Sequence, residues 1–293
     1  MANQLLRQKL ESGEFFFAPG AQDMIAATMA RQHGFDAVYA SGYWLTASAY
    51  GLPDAGIVTF TQMLDRVATL VRTLDGTAVI ADADTGYGGL LNVHHTVRGY
   101  EDAGVTAIQL EDQEFPKKCG HTPFKRIVPP EAMAAKIRVA AEARRDENFL
   151  IIARTDALQS EGFEAALKRL ELYGEAGADI VFLEAMTTNE EMRDACRRTS
   201  KPLLANMASG GKTPILTTAE LEELGFAGAI FPALSSLAAA EAMNRAYAAL
   251  KTQGTATSPD VPLYDFNLFC RQIGFEEVWE FERKWADAES GGE

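Results

Sequence analysis

A glycine followed at once by a short apolar run recurs four times along this chain. The copies are Gly34-Phe35-Asp36-Ala37-Val38-Tyr39, Gly104-Val105-Thr106-Ala107-Ile108-Gln109, Gly177-Ala178-Asp179-Ile180-Val181-Phe182 and Gly225-Phe226-Ala227-Gly228-Ala229-Ile230. Each glycine suits the left-handed close of a helix, and each run suits a buried strand. The first three copies stand 70 and 73 residues apart, room for two strand–helix units each, and the last interval is 48. Further apolar runs at 15–18, 78–81, 150–153 and 202–205 bring the count to eight short strands, near residues 15, 37, 78, 107, 150, 180, 202 and 227. Helical patterns such as 62–74, 131–144 and 163–176 separate them. Near-continuous apolar strands alternating with helices imply a parallel sheet covered on both faces. Eight such units predict an α/β fold, a closed (β/α)8 barrel of the TIM type, with a doubly wound open sheet as the alternative. The barrel is expected over residues 1–253, and a turn-rich linker and a C-terminal helical extension over 254–293. The extension carries Phe266, Phe269, Phe275, Trp279, Phe281 and Trp285. So many aromatics call for a partner surface, either the chain's own barrel or a second subunit.

Bulk properties narrow the functional classes. An apolar content of 47% supports a large core. The 27 basic residues are scattered among 41 acidic ones, for a net charge of −14, which argues against nucleic-acid and anionic-membrane partners. Lys9, Glu11 and Glu14 interrupt any signal-peptide core, and there is no apolar run of about 18 residues to span a bilayer. Cys119, Cys196 and Cys270 are odd in number and far apart, as expected of reduced thiols in the cytoplasm. No CxxC pair and only four dispersed histidines make zinc improbable.

Polar residues cluster where the strands end. The second strand runs into Ser41-Gly42, the third into Asp82-Ala83-Asp84, the fourth into Glu111-Asp112, the fifth into Arg154-Thr155-Asp156, the sixth into Glu184 and the seventh into Asn206. Barrel active sites gather at this end, although helix capping accounts for some of these residues, Asp156 among them. Asp82 and Asp84 alternate by two, so they share a face, and with Glu111 they form an all-oxygen cluster. Mg²⁺, or Mn²⁺, would relieve its repulsion; a hydrogen-bonded acid pair is the plainer alternative. A long loop at 113–128 then carries Lys117-Lys118-Cys119-Gly120-His121. Cations beside a thiol favour the thiolate, so Cys119 reads as a nucleophile or a proton donor on a lid rather than an incidental thiol.

Taken together, these residues resemble the isocitrate lyase and phosphoenolpyruvate mutase superfamily from about Pro19 to Pro232. The resemblance rests on Tyr39-Ala40-Ser41-Gly42, Gly51-Leu52-Pro53-Asp54, Asp82-Ala83-Asp84-Thr85-Gly86-Tyr87-Gly88, Glu111-Asp112-Gln113, the Cys119 segment, Ala153-Arg154-Thr155-Asp156-Ala157 and Glu184-Ala185. It implies a (β/α)8 barrel, Mg²⁺, a C-terminal helix exchanged between subunits and a homotetramer. The lysine-rich Cys-Gly-His segment is similar to that of the carbon–carbon lyases, which tells against a phosphonate mutase. Tyr43-Trp44 and Asn206-Met207 with Gly210-Gly211-Lys212-Thr213-Pro214 look more like 2,3-dimethylmalate lyases and oxaloacetate hydrolases than methylisocitrate lyases.

The resemblance thus implies Mg-dependent retro-aldol cleavage of a 2-hydroxy dicarboxylate to a 2-oxo acid and a carboxylate. The alternatives are a methylisocitrate lyase and an oxaloacetate hydrolase releasing oxalate and acetate. The latter tend to carry a serine near Pro232-Ala233, where Ser235 is the nearest here. The resemblance assigns metal contacts to Asp54, Asp82, Asp84 and Glu111. Cys119 becomes the general acid, with Arg154 and His121 as cations for the carbanion and Tyr39 or Lys117 as acceptor of the hydroxyl proton. Ser41, Gly42, Tyr43, Gly120, Glu184, Asn206 and Thr213 are expected to bind a di- or tricarboxylate substrate.

Overall fold

The computed structural model describes residues 2–120, 122, 125–258 and 261–290. Eight strands appear in the expected order: β1 Phe16–Pro19, β2 Ala37–Ala40, β3 Ala78–Asp82, β4 Ala107–Glu111, β5 Leu150–Thr155, β6 Ile180–Leu183, β7 Leu203–Asn206 and β8 Gly228–Phe231. All seven ladders are parallel, in the order β1-β8-β7-β6-β5-β4-β3-β2. A parallel bridge between Gly20 and Tyr39 brings the two ends of the sheet together. The architecture is therefore the (β/α)8 barrel, and the open-sheet alternative falls away. Gly34, Gly104, Gly177 and Gly225 take φ of 68°, 83°, 116° and 102°, as the repeat requires.

Because strand side chains alternate, each strand feeds two cores. Val38, Val79, Ala81, Ile108, Leu110, Ile151 and Val181 pack outward against the helices. Phe16, Ala37, Tyr39, Ile80, Ile152, Phe182, Leu204 and Ile230 fill the barrel interior, joined by Leu6 of the helix Ala2–Ser12. That helix supplies an apolar plug to the interior. Following the inward parity along each strand leads to the polar residues at its C-terminal end. The series 37-39-41 ends at Ser41, 78-80-82 at Asp82, 107-109-111 at Glu111, 152-154-156 at Asp156, 180-182-184 at Glu184, and 204-206 at Asn206. The site continues the barrel's inner face upward.

The chain divides into two compact units, residues 1–237 and 238–293. The division lies within the helix Leu234–Gln253, whereas the expected boundary at 253/254 lies at that helix's C-terminal end. The second unit holds the helices Phe266–Gln272 and Phe275–Ser290. Its aromatic pairs Phe275–Trp279 and Phe281–Trp285 have ring centroids 5.9 and 6.3 Å apart, and all four residues are exposed. No described helix is long and apolar enough to cross a membrane.

Candidate active site

A cavity of about 300 Å³ opens at the C-terminal ends of the strands. One side is polar, with Tyr39, Ser41, Asp54, Asp82, Glu111, Lys117, Arg154, Glu184 and Asn206. The other is largely apolar, formed by Trp44, Ile230, Pro232, Ala233 and Leu237. Cys119, Gly120 and the loop segment 208–211 complete the walls. A small, two-sided cavity of this kind suits an acid with few carbons and an alkyl surface.

The acidic cluster has one ammonium at its centre. Lys117 Nζ lies 2.6 Å from Asp54 Oδ1 and 2.9 Å from Asp84 Oδ1, with its side chain 3% exposed. Burial alone would lower the proton affinity of Lys117. Asp84, Glu111, Asp82 and Asp54 outweigh that and hold it well above the usual lysine range. The carboxylates remain under-compensated. Burial pushes Asp84 up to about 7 against the pull of Lys117, and drives Glu111 well above the carboxylate range against the pull of Arg154. Glu111 Oε1 is buried without a hydrogen-bond partner. The Gly42 N–H donates to Asp82 Oδ2 at 3.3 Å, and a Cβ at Gly42 would stand 2.8 Å from that oxygen.

Opposite stands a second cation, Arg154, with Nε and Nη2 engaged. Asp156 accepts from Nε at 3.0 Å and from Nη2 at 3.1 Å, while Glu184 Oε2 accepts from Nη2 at 3.1 Å. Asn206 Nδ2 donates to the same Glu184 oxygen at 3.0 Å, which fixes that carboxylate between two donors. Phe182 stacks beneath, its ring centroid 5.2 Å from the guanidinium carbon. Gly120 rests on the guanidinium itself: a Cβ there would lie 1.9 Å from Nη2. Only glycine permits this approach, and it brings the neighbouring Cys119 into the cavity wall.

The structure gathers most of the expected site around one cavity, with some reassignments. Lys117 directs its charge to the carboxylates of Asp54 and Asp84. Tyr39 donates to Gln109 Oε1 at 3.3 Å, and burial, reinforced by Asp82, raises its proton affinity well above normal. The two expected proton acceptors, Tyr39 and Lys117, thus both line the cavity beside the acidic cluster. Asp84, Gly42 and Thr213 are buried but stand behind the cavity wall, where Ser209, Gly210 and Gly211 line the loop instead. Tyr43 is at the exposed rim against Trp44. His121 lies outside the described residues. Ser235 Oγ sits 2.7 Å from both Gly20 O and Gln22 Oε1, and Pro232 and Ala233 face the cavity in its place.

Two residues that sequence reasoning passed over complete the arrangement. Asp156, read there as a cap, is the partner of Arg154. Arg154 and Lys125 outweigh its burial and hold it at about 2. The i, i+2 spacing from Arg154 was the available signal. Asp112 points outward, where Thr155 Oγ1 donates at 2.6 Å, the Asp156 N–H at 2.9 Å, Tyr173 at 2.9 Å and Arg169 at 3.3 Å. It braces the strand end from behind.

Known proteins share this fold. The phosphoenolpyruvate phosphomutase family model matches residues 6–251. A 2,3-dimethylmalate lyase of Eubacterium barkeri is 43% identical, with 96% of this chain and 97% of the relative covered. A 2-methylisocitrate lyase of Aeropyrum pernix is 42% identical, covering 93% of this chain and 87% of the relative. Among solved structures, a 2,3-dimethylmalate lyase superposes with a TM-score of 0.90 at 36% identity, covering 97% of this chain and 95% of that one. An oxaloacetate acetylhydrolase bound to 3,3-difluorooxalacetate gives 0.91 at 33% identity, covering 100% and 98%. With its barrel, its strand-end acids and its Cys119 segment all within the matched span, the chain belongs to the phosphoenolpyruvate mutase/isocitrate lyase superfamily and is an enzyme of the lyase kind.

Proposed function

We propose that the chain is a divalent-metal-dependent carbon–carbon lyase. Its substrate is a 2-hydroxy dicarboxylate bearing alkyl groups, of the 2,3-dimethylmalate class, cleaved between C2 and C3. The apposition of Gly120 and Arg154 carries the reading, because it sets the residue after Cys119 against a buried guanidinium, with Cys119 and Arg154 both lining one small cavity. When the C2–C3 bond breaks, its electron pair passes to C3 and into the adjacent carboxylate as an enediolate. Arg154 is placed to balance that charge, with Asn206 nearby as a hydrogen-bond donor. Cys119 donates its proton to C3 as general acid, releasing the saturated carboxylate. Lys117 or Tyr39, in its deprotonated form, accepts the 2-hydroxyl proton as C2 becomes the carbonyl carbon of the 2-oxo acid, and the other orients an oxygen of that half. Ser41 lines the cavity at the N-terminus of the helix Gly42–Tyr50 without capping it, which leaves its hydroxyl for a substrate carboxylate.

The donor set fits a hard cation. Six carboxyl groups, those of Asp54, Asp82, Asp84, Glu111, Asp156 and Glu184, surround the site against the three cations Lys117, Lys125 and Arg154, so a bound cation would favour the ionised forms that burial disfavours at Asp84 and Glu111. Among the described residues no three acid, histidine or cysteine side chains form a ready cage. An all-carboxylate donor set suits Mg²⁺ or Mn²⁺, which keep waters and accept substrate oxygens. Asp82 and Glu111, with its unpartnered Oε1, would hold the ion, supported by Asp54 and Asp84. When bound, such an ion lowers the proton affinity of the 2-hydroxyl and stabilises the 2-oxo acid product.

A panel of 2-alkylmalates, 2-methylisocitrate and oxaloacetate tests the reading. The expected products are pyruvate and propionate from 2,3-dimethylmalate. Oxalate from oxaloacetate as the dominant product would overturn it in favour of the hydrolase. The engagement of Ser235 with Gly20 and Gln22 weighs against that outcome. Gly120→Ala is expected to lower kcat by about 10²-fold, since the new methyl group must push Arg154 aside by roughly an ångström. Steady-state kinetics on a variant with an unchanged unfolding midpoint would check it. The exposed aromatics of the second unit support assembly into a homotetramer, and three thiols without a disulfide support a reducing, cytoplasmic setting.

A further inference from the structure

Lys125 reaches both halves of the chemistry without lining the cavity. Its ammonium lies 2.8 Å from Asp156 Oδ1 and donates to Gly120 O at 2.5 Å, with the side chain 7% exposed. The same Asp156 oxygen accepts from Arg154 Nη2, and the Asp156 N–H is anchored on Asp112 Oδ1 at 2.9 Å. Asp112 is in turn tied to Arg169, which also donates to Val128 O at 2.9 Å, three residues beyond Lys125. A single buried cation therefore holds the backbone next to Cys119 and the carboxylate that orients Arg154. Mere neutralisation of Asp156 would not require the second bond to Gly120, because Arg154 already supplies a two-point partner.

We propose that Lys125 is a positioning residue that sets the separation between the Cys119 thiol and the Arg154 guanidinium. The proposal rests on the lyase reading for its catalytic consequence, but its geometric content stands apart from any substrate. Without the ammonium, Gly120 loses its tether and Asp156 retains only Arg154. The thiol and the guanidinium then move independently. Such a fault appears in the transition state, where both groups act on one carbon centre, and scarcely in ground-state binding.

The test uses the full chain loaded with Mg²⁺, comparing wild type with Lys125→Met. Two quantities are read: steady-state kinetics on the substrate identified by the panel, and the rate of Cys119 alkylation by iodoacetamide, followed by peptide mass to separate it from Cys196 and Cys270. The expected result is a kcat lower by about 10²-fold with KM within about threefold, as a misplaced catalytic group produces. Alkylation of Cys119 should be faster by about fivefold, because a thiolate forms and reacts more readily where access opens. Lys125→Arg, which restores a cation and several donors, should recover much of kcat and slow the alkylation again. Unchanged kcat and unchanged alkylation in Lys125→Met would overturn the proposal, as would a loss confined to KM. Should wild type turn over no member of the panel, the lyase reading fails while the alkylation rate still decides the role of Lys125. If Lys125→Met does not unfold cooperatively, Lys125→Gln is read by the same two measures and the same outcomes.

Discussion

Replacing Cys119 by alanine should lower kcat by about 10²–10⁴-fold, the range lost when a positioned general acid is removed. Substrate affinity should change little, because the carboxylate-binding groups and Arg154 remain in place. Running the reaction in D₂O separates an acid from a nucleophile. Wild type should deliver one deuterium to a single face of the former C3 carbon, whereas residual product from Cys119→Ala should carry the label on both faces. Near-normal turnover in this variant would sink the acid role. Two cations of the site already serve carboxylates, which agrees with the acid. Lys117, the cation next to the thiol but one in the chain, spends its charge on Asp54 and Asp84, and Arg154 Nε and Nη2 pair with Asp156 and Glu184. A stable thiolate needs an uncommitted cation close by, while a neutral thiol needs none.

Removal of divalent metal by a chelator should depress turnover by about 10³-fold, the loss of several kcal/mol of charge stabilisation at roughly 1.4 kcal/mol per decade. Mg²⁺ in excess should restore it, and Mn²⁺ should substitute. The magnitude follows from the under-compensated acids. With Lys117 alone serving Asp54 and Asp84, and Glu111 lacking a partner for one oxygen, a doubly charged substrate meets a repulsive cavity. Calorimetric titration of Mg²⁺ into the chelated protein gives an independent measure of the site. Activity that survives exhaustive chelation would rule out the metal.

The barrel was legible because its repeat is local: a glycine that closes a helix, then four or five apolar residues, read without knowledge of any partner. The rough site was legible for a related reason, since polar residues at strand ends interrupt that same pattern. The assignment of neighbours was not. Glu111 and Asp112 look like one acidic pair in the sequence, yet strand alternation sends Glu111 into the cavity and Asp112 into the wall with Tyr173 and Arg169. Lys117 stands two residues from Cys119, but the strongest sink for a buried ammonium is a group of buried carboxylates, and these arrive from other strands. Lys125 carries no sequence signature at all. Its role exists only because β5 brings Asp156 beneath the loop.

The register between β4 and β5 pairs Glu111 directly with Arg154 across the ladder. The distance between the acid that would hold the metal and the cation that would meet the carbanion is thus written into main-chain hydrogen bonds, the least mutable part of any protein. Most of the apolar wall, Trp44, Pro232, Ala233 and Leu237, together with the segment 208–211, lies outside the strands. Bond-breaking and taste are therefore inherited separately. A handful of changes at the rim could redirect such an enzyme to a neighbouring acid while its reaction stayed the same.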